Sequence, residues 1–91
     1  MKFCLEIGDL EHHLVEFDFN QLLGELRIQV NKKEVKRSVR LFNEPVAECH
    51  TLHVGDQEQV IVRIEKERKM LFGQKCRVYL NDRLYKYYEG V

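Results

Sequence analysis

Residues 27–36 read RIQVNKKEVK and residues 77–86 read RVYLNDRLYK, and the two segments align without a gap. In both, apolar and polar residues alternate on either side of a pair that begins with asparagine, Asn31-Lys32 and Asn81-Asp82. Such alternation is typical of half-buried strands, and a two-residue asparagine turn between two alternating runs is typical of a β-hairpin. The sequence therefore predicts two similar hairpins, although Lys32 in place of glycine leaves the turn type open.

The turn positions also predict which residues face each other across the strands. Each hairpin is expected to pair apolar residues on its inner face and bases on its outer face. The pairs are Ile28 with Val35 and Arg27 with Lys36 in the first hairpin, and Val78 with Tyr85 and Arg77 with Lys86 in the second.

The similarity extends upstream of each hairpin. Each follows an apolar turn that ends in glycine, LLG at 22–24 and LFG at 71–73, and each turn follows an alternating run, VEFDF at 15–19 and VIVRI at 60–64. We interpret these segments as repeat units of about 13–42 and 58–89 within a single domain of residues 1–91.

A further strand is predicted at 49–54, and residues 2–7 are either another strand or a loose arm. The segment 66–71 is the only place where a short helical turn is an option. About seven or eight short antiparallel strands predict an all-β fold. The favoured architecture is a β-sandwich built from two similar hairpin units, and a small barrel is the alternative.

Composition limits the class of protein. The chain has 91 residues, of which 44% are hydrophobic and 33% charged, so one folded domain is expected rather than disorder. No apolar stretch approaches the ~20 residues that span a bilayer, which predicts no membrane association. Acidic residues near the N-terminus argue against a secretory signal, and three cysteines without close pairing favour free thiols. A cytoplasmic protein is therefore expected.

The net charge of zero conceals four alternating blocks. Residues 1–26 carry −5, residues 27–40 carry +5, residues 41–62 carry −4 and residues 63–91 carry +4. Each basic hairpin is thus preceded by an acidic stretch. We interpret this alternation as internal complementarity rather than as the footprint of a nucleic acid.

The residues with reactive side chains do not form a convincing catalytic or metal-binding motif. Cys49 and His50 are neighbours on a predicted strand, so they point to opposite faces, and Cys49 and His53 lie roughly 13 Å apart along it. Zinc ligands must converge more closely than that. Cys76 falls on the predicted core face, and Ser38 is the only serine. We therefore expect no metal, no cofactor and no enzymatic activity.

Two groups of residues are candidates for binding. The first comprises the large apolar residues of the two glycine-ended turns, where polar residues are usual: Leu22, Leu23, Met70, Leu71 and Phe72. They could fold over and cap the core, which we favour, or form an exposed patch for a partner. The second group comprises the equivalent bases of the two hairpins, which could bind anions: Arg27, Lys36, Arg77 and Lys86.

The hairpin segments carry a family resemblance. The pattern VEF at 15–17, RIQVNKKEVKR at 27–37, HVG at 53–55 and RVYLNDRLYKYYEG at 77–90 resembles the Fas apoptotic inhibitory molecule proteins, whose hairpins read like VDGKEV and INGK. The resemblance covers roughly residues 13–90, but both turn glycines are absent and the chain has no tryptophan. It implies an all-β sandwich without a catalytic site and a cytoplasmic role in protein interaction.

The sequence thus predicts a non-enzymatic module that acts through protein–protein interaction, with another protein or as a homodimer. Its contact surfaces are expected at the apolar turns and at unpaired edge strands. The alternative is binding of a nucleic acid or another anionic ligand through the basic hairpin faces, and a small-molecule site between the sheets is a third option.

Overall fold

The computed structural model describes residues 1–40, 45–70 and 72–90. Within these ranges eight strands form two four-stranded antiparallel sheets, each a simple meander. Sheet 1 contains β1 (Lys2–Ile7), β2 (His13–Asn20), β3 (Glu25–Val30) and β4 (Lys33–Val39). Sheet 2 contains β5 (Ala47–Val54), β6 (Val60–Arg68), β7 (Gln74–Leu80) and β8 (Arg83–Gly90). The predicted all-β sandwich of two similar units is confirmed.

One detail of the predicted secondary structure changes. The optional helical turn at 66–71 is wrong for residues 66–68, because β6 continues to Arg68. The described part of the chain contains no helix that could cross a membrane. Positions 41 and 42, the end of the first predicted repeat unit, and position 71 of the second apolar turn lie outside the described residues.

The core lies between the two sheets and is built from the inward residues of the alternating runs. β2 shows the rule: Val15, Phe17 and Phe19 are buried, whereas the acidic residues between them are only partly covered. Alternation has this result because successive side chains of a strand point to opposite faces. The buried apolar residues are Phe3, Leu5, Ile7, Val15, Phe17, Phe19, Leu26, Ile28, Val54, Val62, Ile64, Cys76 and Val78.

Contacts between the sheets show how they are stacked. Phe3 of β1 stacks on Tyr88 of β8 with ring centroids 4.0 Å apart, and Lys36 of β4 contacts His50 of β5. Strand β1 therefore lies opposite β8 and β4 opposite β5. This arrangement relates the two sheets by an approximate two-fold axis that runs along the strands.

The predicted pairing of both hairpins is wrong by one residue on the second strand. Ile28 lies opposite Lys36 rather than Val35, and Val78 lies opposite Lys86 rather than Tyr85, because each hairpin contains a β-bulge. The extra residue of a bulge leaves the ladder and increases the twist of an edge strand. As a result, Val35 and Tyr85, which were expected to face the core, are exposed.

Both hairpin turns adopt one backbone conformation. The φ angles are +52° and +69° at Asn31 and Lys32, and +49° and +66° at Asn81 and Asp82. Positive φ at both central residues is the property of a type I′ turn, whose twist matches that of the flanking strands. The turn type that the sequence left open is thereby assigned without a glycine.

The β1–β2 turn and the β5–β6 turn are joined by hydrogen bonds at one end of the sandwich. The Glu11 carboxylate accepts hydrogen bonds from the backbone N–H groups of residues 56–58, at 2.6–3.1 Å, and the Glu58 carboxylate accepts bonds from those of residues 9 and 10. These backbone bonds hold the pKa of Glu11 at about 2. The exchange is reciprocal, as the approximate two-fold axis requires.

Candidate functional site

The two apolar turns meet at the opposite end of the sandwich. The Gln21 side-chain oxygen accepts a hydrogen bond from the Gly73 backbone N–H at 2.9 Å, which joins the turn of sheet 1 to the turn of sheet 2. Leu22 and Phe72 line one shallow pocket of about 290 Å³ between the turns. Candidate residues that are 50 positions apart in the sequence are therefore neighbours in the fold.

The side chains of these turns are exposed rather than folded over the core. Their exposed fractions are 80% for Leu22, 52% for Leu23, 92% for Met70 and 54% for Phe72. The favoured interpretation, that they cap the core, is wrong for these four, and Leu71 lies outside the described residues. We refer to the four residues together as the apolar end.

Exposure of this group has an energetic consequence. Burial of one large apolar side chain is worth about 1.5–3 kcal/mol, so four exposed ones leave a substantial unused driving force for association. Nearby charges are already engaged, because Lys69 pairs with Glu89 and the Met1 ammonium donates to the Phe19 carbonyl oxygen. The apolar end therefore offers an uncovered hydrophobic surface beside charged groups that already have hydrogen-bond or ion-pair partners.

The four bases of the second candidate group do not form one surface. Arg27 points outward from sheet 1 and Arg77 outward from sheet 2, so the two guanidinium groups lie on opposite sides of the molecule. Lys36 and Lys86 pair with the inward residues Ile28 and Val78 as a result of the bulges, so they share the inner face of their sheets.

Carboxylates accompany both arginines. Arg27 lies 3.4 Å from Glu25 and 3.5 Å from Glu34, and Arg77 lies 3.8 Å from Glu67. Exposed pairs of this kind contribute little to stability, but they do neutralise the local potential. The charges of Arg27 and Arg77 are therefore paired with nearby carboxylates, which weakens the anion-binding alternative.

A polar cluster occupies the sandwich interior near the apolar end. Glu48 and His50 of β5, Lys66 of β6 and Gln74 of β7 all point inward, and the last three are at least 98% buried. The Lys66 ammonium donates to the Gln74 side-chain oxygen at 3.2 Å, lies 3.8 Å from the Glu48 carboxylate and lies 4.1 Å from the centre of the Phe19 ring. Buried charge is costly unless paired, and this lysine is paired.

His50 is the titratable centre of the cluster. Its Nδ1 atom lies 2.5 Å from the Lys36 ammonium, which donates to the neutral ring, so the proton of the imidazole belongs on Nε2. Burial lowers the pKa of His50, and the positive charges of Lys36 and Lys66 lower it further, whereas Glu48 opposes them. The Nε2 atom, 3.9 Å from Glu48, makes no hydrogen bond.

Burial of one member of this cluster, Lys66, could have been predicted from the sequence. Val62, Ile64 and Lys66 are spaced two residues apart on one strand, so their side chains point to the same face. This spacing alone predicts that Lys66 lies in the core. Its structural counterpart in sheet 1 is Phe19, and the counterpart of His50 is Phe3, as the pairing of both sheets shows. The optional helical turn at 66–71 would interrupt that alternation, so burial of this lysine was not predicted. Because His50, Lys66 and Gln74 are almost completely buried, they form a polar part of the core, while Glu48 beside them is partly exposed.

The cysteines and histidines lie where strand alternation predicts. Cys49 is exposed on the outer face of β5 and His50 is buried on the inner face, so the two diverge. Cys76 lies in the core, and burial raises the pKa of its thiol to about 11. His13 lies 3.2 Å from the Glu11 carboxylate and contacts Asn31, so it supports the end of the sandwich that carries the Glu11–Glu58 exchange.

The fold and these surfaces define a two-sheet antiparallel sandwich with a pair of adjoining, exposed apolar turns at one end. No protein-family model, no curated protein and no solved structure matches the chain. The resemblance to the Fas apoptotic inhibitory molecule proteins stays a prediction.

Proposed function

We propose that the chain is a non-enzymatic module that binds another protein through the apolar end. The observation that supports this function is the meeting of two apolar turns from different sheets, where Leu22 and Phe72 line one pocket and Leu23 and Met70 are exposed in the same turns. Contiguous exposed apolar residues at turns are a recognised property of interaction sites. The family resemblance implies the same class of function and is a separate support for it.

The dimensions of the molecule indicate the kind of partner. The molecule measures 41 × 24 × 16 Å, and the longest dimension follows the strands, since these and their turns are longer than a four-stranded sheet is wide. An end of about 24 × 16 Å offers roughly half of the ~800 Å² per partner in a stable interface. The fitting partner is therefore a short apolar segment of another protein, such as one face of an amphipathic helix, rather than a second copy placed end to end.

The proposal is tested by selecting binders from a displayed library of random peptides and comparing two variants. Leu22→Ser combined with Phe72→Ser removes the centre of the apolar end. Leu10→Ser is the matched control, because Leu10 is 88% exposed in a turn at the opposite end. Apolar peptides that bind the unmodified chain and the control, but lose at least tenfold in affinity for the double variant, are the expected result. Peptides that bind all three proteins equally would contradict the proposal.

A parallel measurement addresses the anionic alternative. Because Arg27 and Arg77 are paired with carboxylates on opposite sides of the molecule, we expect no binding to a mixed oligonucleotide pool at low salt. Binding that falls steeply with added salt is the property of phosphate recognition and would favour the alternative.

A further inference from the structure

The outer faces of the two sheets differ in character. On sheet 1 the outward positions of β2 and β3 are polar except for Leu14, for example Glu16, Asp18 and Arg27, and Val39 of the edge strand β4 is exposed. On sheet 2, Ile61, Leu84 and Tyr87 are exposed by 40–60%, and Tyr79 lies among them. Tyrosine and arginine are the residues that most often anchor protein interfaces, which directs attention to sheet 2.

The register of β6 and β7 arranges this face in complementary rows. Across the two central strands, Arg63 lies opposite Tyr79, Glu65 opposite Arg77 and Glu67 opposite Lys75. The first row is a cation–π pair, with the Arg63 guanidinium 4.3 Å from the centre of the Tyr79 ring. The other two rows are pairs of opposite charge. Each row therefore contains a group and its complement, side by side.

Such a face is complementary to itself under one symmetry operation. A two-fold axis that runs along the strands, midway between β6 and β7, places β6 of one copy over β7 of the other at the same height. Glu65 then meets Arg77 of the other copy, Glu67 meets Lys75, and Arg63 meets Tyr79. We propose that two copies of the chain associate through the outer faces of their second sheets in this way.

The geometry of the proposed dimer already exists inside the chain. Sheets 1 and 2 are themselves related by an approximate two-fold axis along the strands, as the Phe3–Tyr88 stack and the Glu11–Glu58 exchange show. Isologous contact of this type is the usual form of a dimer, since one patch serves both partners.

Area and composition favour this face over the others. The broad side of the molecule, of about 41 × 24 Å and formed by a sheet with its turns, can supply the ~800 Å² per partner that a standard interface buries, which the apolar end cannot. Sheet 1 offers only one complementary central row, Asp18 opposite Arg27, and its neighbouring row sets Asn20 opposite Glu25. The proposed dimer therefore uses sheet 2.

The first test is the association state of the unmodified chain. Sedimentation velocity over a range of concentrations should show a reversible monomer–dimer equilibrium that weakens as salt is added, because opposite charges meet across the interface. A chain that remains monomeric up to about 1 mM, where the association free energy is only about −4 kcal/mol, overturns the proposal.

Charge reversal on the two strands tests the geometry itself. The acidic variant carries Lys75→Glu and Arg77→Glu, and the basic variant carries Glu65→Lys and Glu67→Lys. Each variant places like charges across its own interface, so each should be monomeric, while an equimolar mixture should restore a heterodimer. A mixture that associates no better than its components overturns the proposed arrangement.

Controls separate this surface from misfolding and from the apolar end. The single reversals Arg77→Glu and Glu65→Arg repeat the mixing experiment with less disturbance to the sheet, and far-UV circular dichroism verifies that each variant is folded. Arg27→Glu changes the equivalent arginine of sheet 1 and should leave the dimer intact, as should Leu22→Ser with Phe72→Ser. Loss of the dimer in either of these two controls contradicts an interface on sheet 2.

Discussion

The two residues of the first hairpin turn should respond in opposite directions to substitution by glycine. Both have positive φ, +52° at Asn31 and +69° at Lys32. The left-handed conformation costs an ordinary L-residue about 1–2 kcal/mol, and glycine avoids this cost but loses about 0.5–1 kcal/mol of additional chain entropy on folding. Lys32 also pairs with Glu16 at 3.1 Å, an exposed contact worth about 0–0.5 kcal/mol.

These terms give Lys32→Gly a net stabilisation of about 0.5 kcal/mol, which raises the midpoint of thermal unfolding by about 2–4 °C in a chain of this size. Asn31 differs because it tolerates the conformation and uses its side chain. Its Oδ1 atom accepts a hydrogen bond from the Leu14 N–H at 2.9 Å, and its amide contacts His13 at 2.8 Å. Loss of these bonds makes Asn31→Gly less stable by about 1 kcal/mol.

Urea unfolding followed by far-UV circular dichroism measures both changes, with an unchanged slope showing that the unfolded state is unaffected. Lys33→Gly is the matched control, because Lys33 is the first residue of β4 and has no positive φ. Glycine there should destabilise by about 0.5–1 kcal/mol. The reasoning fails if Asn31→Gly is as stable as Lys32→Gly, or if Lys33→Gly is also stabilising.

Three further measurements test the interlocked turns and the interior. Because the pKa of Glu11 is about 2 in the folded state, below its ordinary value, its carboxylate stabilises the fold above about pH 4.5 and this contribution is lost as the pH falls towards 2. Glu11→Gln should therefore lower the unfolding temperature at pH 7 and reduce the loss of stability between pH 4.5 and pH 2. A loss of the same size in the variant would contradict the role of this carboxylate. The lowered pKa of His50 means that the unfolded chain binds a proton first, so stability should decrease as the pH falls below about 6.5. His50→Phe should remove that decrease, whereas a decrease of the same size in the variant would show that another group causes it. A thiol reagent should label Cys4 and Cys49 in the folded chain and Cys76 only after unfolding, because Cys76 alone of the three is buried; rapid labelling of all three thiols would contradict that placement.

Much of the fold was predictable because local chemistry and the core specify the same arrangement. In β2 the alternation of Val15, Phe17 and Phe19 with acids fixes the inner face, and no tertiary effect overrides it. The bulges were not predictable by the same means. Val35 and Tyr85 carry no marker such as glycine, and one inserted residue reverses which side chain of the second strand faces the core.

The candidate surfaces depend on how the sheets stack, which strand patterns do not contain. Gln21 and Gly73 adjoin only because the two sheets are aligned along their strands, so the sequence showed two apolar turns but not one apolar end. The buried position of Lys66 follows from strand alternation once β6 is extended through it. Without that extension, a lysine in a basic segment is expected to be exposed.

Differences between two similar units indicate which parts of the chain are specialised. Both sheets share strand order, bulge position and turn conformation, so these features serve the fold. Where the units diverge, sheet 2 has the residue that is unusual at its position. In the interior, Lys66 occupies the position equivalent to Phe19, and His50 the position equivalent to Phe3. On the outside, a row of Arg63 and Tyr79 replaces Glu16 and Gln29.

A buried lysine costs stability when it only maintains a sandwich, and a half-buried tyrosine on the outer face adds nothing to the core. Sheet 1 achieves the same architecture with Phe19 and Gln29 at the equivalent positions. Sheet 1 is thus the reference against which sheet 2 can be tested, position by position. Replacement of Tyr79 by Gln, its counterpart in sheet 1, should keep the fold, lower its stability by about 0.5–1 kcal/mol through loss of the cation–π contact with Arg63, and weaken self-association. Equal association of this variant and the unmodified chain would place the specialised role of sheet 2 elsewhere, in its interior.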